Sequence, residues 1–187
     1  MREALLHRRM SVADRSRARV DETLADLHER YGEFEVSEES GTIERARYSE
    51  AVNRFEGQGV VGGAGAWVTD PRDRVLLVRP EGADGWVDPG DAQQRDETLE
   101  ETAKRAVSEQ TGIDAELTGV LRVEVYEYTV DGKEWPPVHA VNVTFRGEAE
   151  GYPNTGEGIG AADWWRGSPN RVGYEAMNTF PFPATEE

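Results

Sequence analysis

The chain has 187 residues, 37% of them hydrophobic, with five Trp, six Tyr and five Phe, which suits one folded domain with an added segment and argues against disorder. It carries 37 Asp and Glu against 21 Lys and Arg, a net charge of −16, so its surface repels nucleic acid and anionic membranes. With no cysteine, disulfides, thiolate zinc sites and Cys nucleophiles are excluded. No run approaches the ~18 apolar residues of a membrane span. The start, "MREALLHRRM", lacks the apolar stretch of a signal peptide, so a cytoplasmic protein is expected. Lys104 and Lys133 are the only lysines. An acidic, lysine-poor surface fits a cytoplasm with molar salt, where the Debye length falls to ~3 Å.

Residues 11–31 read as an amphipathic helix, with Ser11 as N-cap, Asp14 three residues on, and Val20, Leu24, Leu27 and Tyr31 on one face. Gly32 terminates it. A second, short helix is expected over 48–55, with Tyr48, Val52 and Phe55 on one face, and the intervening segment has room for one or two strands. The pattern changes at Gly57. Two apolar runs flank "DPRD", a turn sequence, and predict a hairpin in which Gly62, Gly63 and Gly65 permit close backbone approach. "GWVDPGD" reads as a strand end and loop, and 97–111 as a helix closed by Gly112. Two long strands follow, "ELTGVLRVEVYEYTV" and "PVHAVNVTFRGEAEG", then a short one in "AADWW" and a last helical turn within 170–178. The tail "FPFPATEE" has too much proline for regular structure.

This order lacks the regular alternation of a doubly wound sheet and suits a mixed α/β fold, one mixed sheet sandwiched between helices. Residues 1–56 form a helical extension and 57–187 the main domain. The extension also offers a surface for a homodimer. His7, His28 and His139 give no catalytic constellation: His28 falls on the polar face of the first helix, and His139 in a strand. "GVVGGAGA" lacks the Gly-Lys-Ser/Thr and the following helix of a phosphate loop. The tryptophans are expected mainly to pack, and Arg79 to meet either a substrate phosphate or a surface acid.

From spacing alone, the helix at 97–112 is an acidic, solvated amphipathic helix. Leu99, Ala103 and Val107 supply a packing stripe, and Glu101, Arg105 and Glu109 are spaced for intrahelical ion pairs. In its wider context, "GWVDPGDAQQRDETLEETAKRAVSEQTGI" resembles the Nudix box: Gly, five residues, Glu, seven residues, then Arg-Glu-aliphatic-x-Glu-Glu-x-Gly-aliphatic. Glu97, Arg105, Val107, Glu109, Gly112 and Ile113 fall on six of its fixed places. Asp91 stands at the box glycine, Ala106 at the glutamate after the arginine, and Gln110 at the second acid of the Glu-Glu pair.

The resemblance implies a Nudix-type sheet and the hydrolysis of a nucleoside diphosphate linked to another moiety. A nucleotide-derived small molecule would be the substrate and Mg²⁺ the cofactor, held by carboxylates. It implies catalytic roles for Glu109, Arg105 and Glu97. It makes Glu109, Glu101, Gln110 and Glu157 the candidates to hold metal, Glu101 lying about 80° from Glu109 around the helix. Ala106 supplies no ligand and Gln110 a neutral oxygen, so Mg²⁺ is expected to bind weakly or not at all and turnover to be reduced. The alternative is a catalytically inactive Nudix-fold protein that binds a nucleotide or a protein partner.

Overall fold

The computed structural model describes residues 10–132 and 134–184. His7, Lys133 and the last three residues of the proline-containing tail lie outside them. In chain order the elements are α1 (Val12–Tyr31), β1 (Glu35–Thr42), α2 (Arg45–Gln58), β2 (Gly62–Thr69), β3 (Val75–Pro80), β4 (Gly90–Ala92), α3 (Leu99–Thr111), β5 (Glu116–Thr129), β6 (Val138–Glu148), β7 (Ile159–Trp165) and a 3-10 helix (Glu175–Thr179). The seven strands form one mixed sheet in the order β1-β5-β6-β2-β3-β7, with β4 paired to β2. β1 runs parallel to β5, while β2–β3 and β3–β7 are antiparallel. None of the described helices is long and apolar enough to cross a membrane.

The chain divides into two compact units. One takes in Met1–Gly63, Gln93–Glu97 and Arg122–Val143, the other Ala64–Ala92, Thr98–Leu121 and Thr144–Glu187.

In the first unit, α1 begins where the sequence places it. The Ser11 hydroxyl accepts from Asp14 N, and the Asp14 carboxylate accepts from Ser11 N, a capping box that satisfies two otherwise free donors. Val20 and Leu27 on its inner face are fully buried. Ser16, on the same face, is buried too. Its hydroxyl accepts from His139 N at 3.0 Å and donates to Ala13 O at 3.2 Å. The second helix is longer than the short segment expected at 48–55, because Gly59 in the left-handed region ends it only after Gln58. The intervening segment holds one strand, β1, almost wholly exposed along its length. At Gly62 the backbone of Val141 comes so close that an added Cβ would lie 1.8 Å from its carbonyl oxygen. The close approach expected of this glycine is therefore real.

In the second unit, the β2–β3 hairpin turns through Asp70–Arg74. The Asp70 carboxylate accepts from the N–H groups of Arg72 and Arg74 and from the Arg74 guanidinium at 2.6 and 2.9 Å. Its core gathers Trp67, Val75, Leu77, Met177 and Phe180, with Trp86, Trp165, Tyr174 and Phe182 packed around them. Trp67 meets Phe180 and Phe182 edge-on, and Trp86 meets Trp165 at 5.0 Å between centroids, so these tryptophans pack as expected. The final helical turn is a 3-10 helix displaced toward the C-terminus, at Glu175–Thr179.

Candidate active site

α3 carries the residues that the sequence singles out. It starts at a second capping box: the Thr98 hydroxyl accepts from Glu101 N at 3.1 Å, and the Glu101 carboxylate accepts from Thr98 N at 2.8 Å. Its buried stripe is Leu99, Thr102, Ala103, Ala106 and Val107, with spacing i, i+3, i+4, i+7, i+8. It ends at Gly112, whose N–H bonds Ser108 O at 2.8 Å and whose φ is 69°. Within its unit, α3 lies against β4 and β7.

On the more exposed side, one cation is surrounded by oxygen. The Arg105 guanidinium donates to the Asp91 carboxylate at 2.8 Å, to Ala92 O at 3.1 Å and to the Glu109 carboxylate at 3.2 Å. Arg105 is largely sheltered, with its side chain 16% exposed against 48% for Asp91 and 63% for Glu109. One turn on, the Gln110 amide nitrogen donates to Gly90 O at 2.8 Å. The carbonyl acceptor demands nitrogen there, which fixes the amide's orientation. The β4 strand and α3 are thus joined by hydrogen bonds from a guanidinium and from an amide.

The other candidates are placed as follows. Glu101 spends its carboxylate on the helix N-terminus. Glu97 lies in the Gln93–Glu97 segment of the first unit, where its carboxylate accepts from Gln94 N at 2.9 Å and its carbonyl from the Gln93 amide at 2.6 Å. Glu157 is exposed, in a loop whose neighbouring Gly156 N–H bonds Gln110 O at 3.1 Å. Arg79, left open between a phosphate and an acid, stands over the Trp86 ring at 5.5 Å. The structure therefore brings Arg105 and Glu109 together and adds Asp91, which sequence reasoning noted only as a departure from a pattern. The signal was present in the sequence, since an acid fourteen residues before an arginine had replaced a glycine.

The NUDIX domain model matches residues 60–168, more than half of the chain. The chain belongs to the Nudix family. The match begins at Val60, so α1, β1 and α2 lie outside the Nudix domain model. Among solved structures, a Nudix hydrolase from Nitrosomonas europaea is 17% identical over 66% of this chain and 74% of its own, with a TM-score of 0.47. A UDP-X diphosphatase is 16% identical over 70% of this chain and 64% of its own, again at 0.47. An ADP-ribose pyrophosphatase from Streptococcus suis is 14% identical over 66% and 79%, at 0.42. Among curated proteins, nothing matches.

Nudix hydrolases generally use divalent cations, so the donor set here must be compared with Mg²⁺. That ion takes carboxylate oxygens and water in near-octahedral geometry. Ala106 is 1% exposed and belongs to the buried stripe. Gln110 directs nitrogen, not oxygen, at Gly90 O. Glu109 and Asp91 share the Arg105 guanidinium. Among the described residues, no three His, Cys, Asp or Glu side chains group so as to hold a metal ion. The residues present do not fit Mg²⁺. Arg105 takes one carboxylate oxygen each of Asp91 and Glu109, and Gln110 takes Gly90 O.

Proposed function

We propose that this chain is a Nudix protein that recognises a nucleoside diphosphate linked to another moiety and hydrolyses it slowly or not at all. The observation that carries the proposal is the guanidinium of Arg105 among Asp91, Ala92 O and Glu109, with Gln110 closing onto Gly90 O. Hydrolysis of a diphosphate needs a water aimed at phosphorus and positive charge to offset the charge that develops. Arg105 supplies one positive charge, but it already faces two carboxylates, so little of its field is left for a substrate. Glu109 is the acid best placed to orient a water, because most of its side chain remains exposed. Any turnover that remains depends on these two residues. Glu97 is proposed to support the box loop through its bonds to Gln93 and Gln94.

A second reading, slow Mg²⁺-dependent hydrolysis, is favoured by one feature. Glu157 follows Gly156, which is bonded to the helix beside Gln110, so an additional acid stands next to the box helix. We further take residues 1–56 as an extension to a Nudix domain at 57–187 and as the surface for any homodimer. The charge of −16 with two lysines supports a salt-adapted cytoplasmic setting for the protein.

The deciding experiment is a titration of ADP-ribose and UDP-glucose into the full chain, with and without Mg²⁺, in high KCl, beside a hydrolysis assay. Binding that needs no Mg²⁺, with negligible turnover, is expected. Gln110→Glu places a carboxylate oxygen against Gly90 O, which a cation must then bridge. This variant should gain a Mg²⁺-dependent rise in Tm that the parent lacks. Turnover by the parent with Mg²⁺ at about 1 s⁻¹ or faster, the ordinary enzyme range, would sink the proposal.

A further inference from the structure

The first unit contains a cavity of about 340 Å³ lined by Ile43, Arg47, Glu50, Ala51, Arg54 and Tyr128. Residues 47, 50, 51 and 54 are spaced i, i+3, i+4, i+7 and share one face of α2. Five of the six lining residues precede Val60, where the Nudix match begins, so the family's own chemistry does not account for them.

Among the described residues, two arginines without an ion pair line the cavity. Arg15, Arg17, Arg19, Arg74, Arg105, Arg122 and Arg171 each have a carboxylate partner. Among the described residues, Arg47 makes no ion pair, although the chain carries sixteen excess negative charges. Arg54 bonds Gln93 O at 2.6 Å and meets no carboxylate. Arg47 and Arg54 lie two helical turns apart on this face, roughly 10 Å between their Cα atoms along the axis, a span that two long side chains can close. Tyr128 is partly buried and stacked on Tyr126, with the rings 5.4 Å apart and 6° from parallel. Burial pushes the Tyr128 phenol up, and the charge of Arg47 acts against that shift, so the guanidinium and the ring share one environment.

We propose that this cavity binds a small molecule with one anionic group and one planar ring, the size of a nucleoside monophosphate. Arg47 and Arg54 take the anion by charge-assisted hydrogen bonds. Tyr128, Ile43 and Ala51 provide the apolar wall for the ring. Glu50 accepts from a hydroxyl or amino group and repels ligands with further negative charge. The volume sits at the small end of ligand pockets. The site is independent of the diphosphate-binding role proposed above.

The test is calorimetric titration of the full chain with AMP, adenosine and inorganic phosphate. AMP should bind, and adenosine and phosphate should each bind at least about tenfold more weakly. Arg47→Ala should weaken AMP by about tenfold or more, and Glu50→Gln should tighten it several-fold. Arg47 is exposed and unpaired, so the melting temperature of Arg47→Ala should match the parent and show that the fold is kept. Absence of AMP binding at millimolar concentration overturns the proposal, as does adenosine or phosphate binding as tightly as AMP. AMP binding that survives Arg47→Ala but is lost in Arg105→Ala places the nucleotide at the box helix, and also overturns it.

Discussion

Gly156 tests how the box helix is finished. The loop that follows β6 returns to the C-terminal end of α3, where Asn154 N–H bonds Thr111 O at 2.8 Å and Gly156 N–H bonds Gln110 O at 3.1 Å. Those carbonyls are among the last four of a helix and have no partner within it. The approach is so close that a Cβ on Gly156 would stand 1.8 Å from Glu109 O and 3.2 Å from Gln110 Cα, both backbone atoms. An ordinary C···O contact is about 3.3 Å, so Gly156→Ala requires a retreat of roughly 1.5 Å. That retreat breaks at least the Gly156 bond and strains that of Asn154, at about 1 kcal/mol each. Overpacking adds about 1–3 kcal/mol. The expected loss is about 3 kcal/mol, read as a lower urea midpoint at unchanged slope. Gly158→Ala is the control. It has a φ of 73° and nothing within 4 Å of its added Cβ, so it should cost only the strain of the left-handed region, about 1 kcal/mol. If Gly156→Ala costs no more than Gly158→Ala, the loop does not cap the helix in the way described.

Two further perturbations separate the units. Ser16→Ala removes the buried acceptor of His139 N–H and leaves that donor unsatisfied, which should cost about 1–3 kcal/mol in urea unfolding. A cost near zero would mean that water replaces the hydroxyl. Asp70→Asn tests the hairpin turn through pH. Burial alone would raise the Asp70 carboxyl, but the Arg74 guanidinium and two backbone N–H groups overcome it and hold the carboxyl below its usual value. A depressed folded pKa gives stability that is present above the unfolded value, about 3.9, and is lost as pH falls through the folded one. The variant should therefore lose about 2 kcal/mol at pH 7 and approach the parent in strong acid, and a pH-independent difference would refute the linkage.

The elements that the sequence made readable are those with a periodic apolar face or a capping signal. Ser11 with Asp14, Gly32 and Gly112 marked helix boundaries that the structure reproduces, because caps act locally. β1 was hard to place for the opposite reason. It pairs along one edge with β5 and buries almost nothing, so "EVSEESGT" carries no alternation, and its parallel register depends on a partner eighty-seven residues away, as for Glu35 and Arg122. α2 was underestimated because Tyr48 is its only buried residue. In the candidate site, the arginine–glutamate pair was expected from i, i+4 spacing, whereas the bond from Arg105 to Asp91 depends on where β4 brings the chain back.

That return explains why three departures from the Nudix pattern form one coherent change. A glutamate at position 110 would set two oxygens, its own and Gly90 O, against each other, and such a pair needs a cation between them. Glutamine removes the need by offering N–H. An acid at position 91 then adds negative charge beside Glu109, and it is the Arg105 guanidinium, 2.8 Å away, that balances it. An alanine at position 106 completes the buried stripe, where a carboxylate would have to be desolvated without a metal ion to pair with. Each substitution alone would leave an unmatched group. Together they leave Arg105 and Gln110 as hydrogen-bond donors between β4 and α3, so restoring one acid should destabilise the protein unless a divalent ion is supplied.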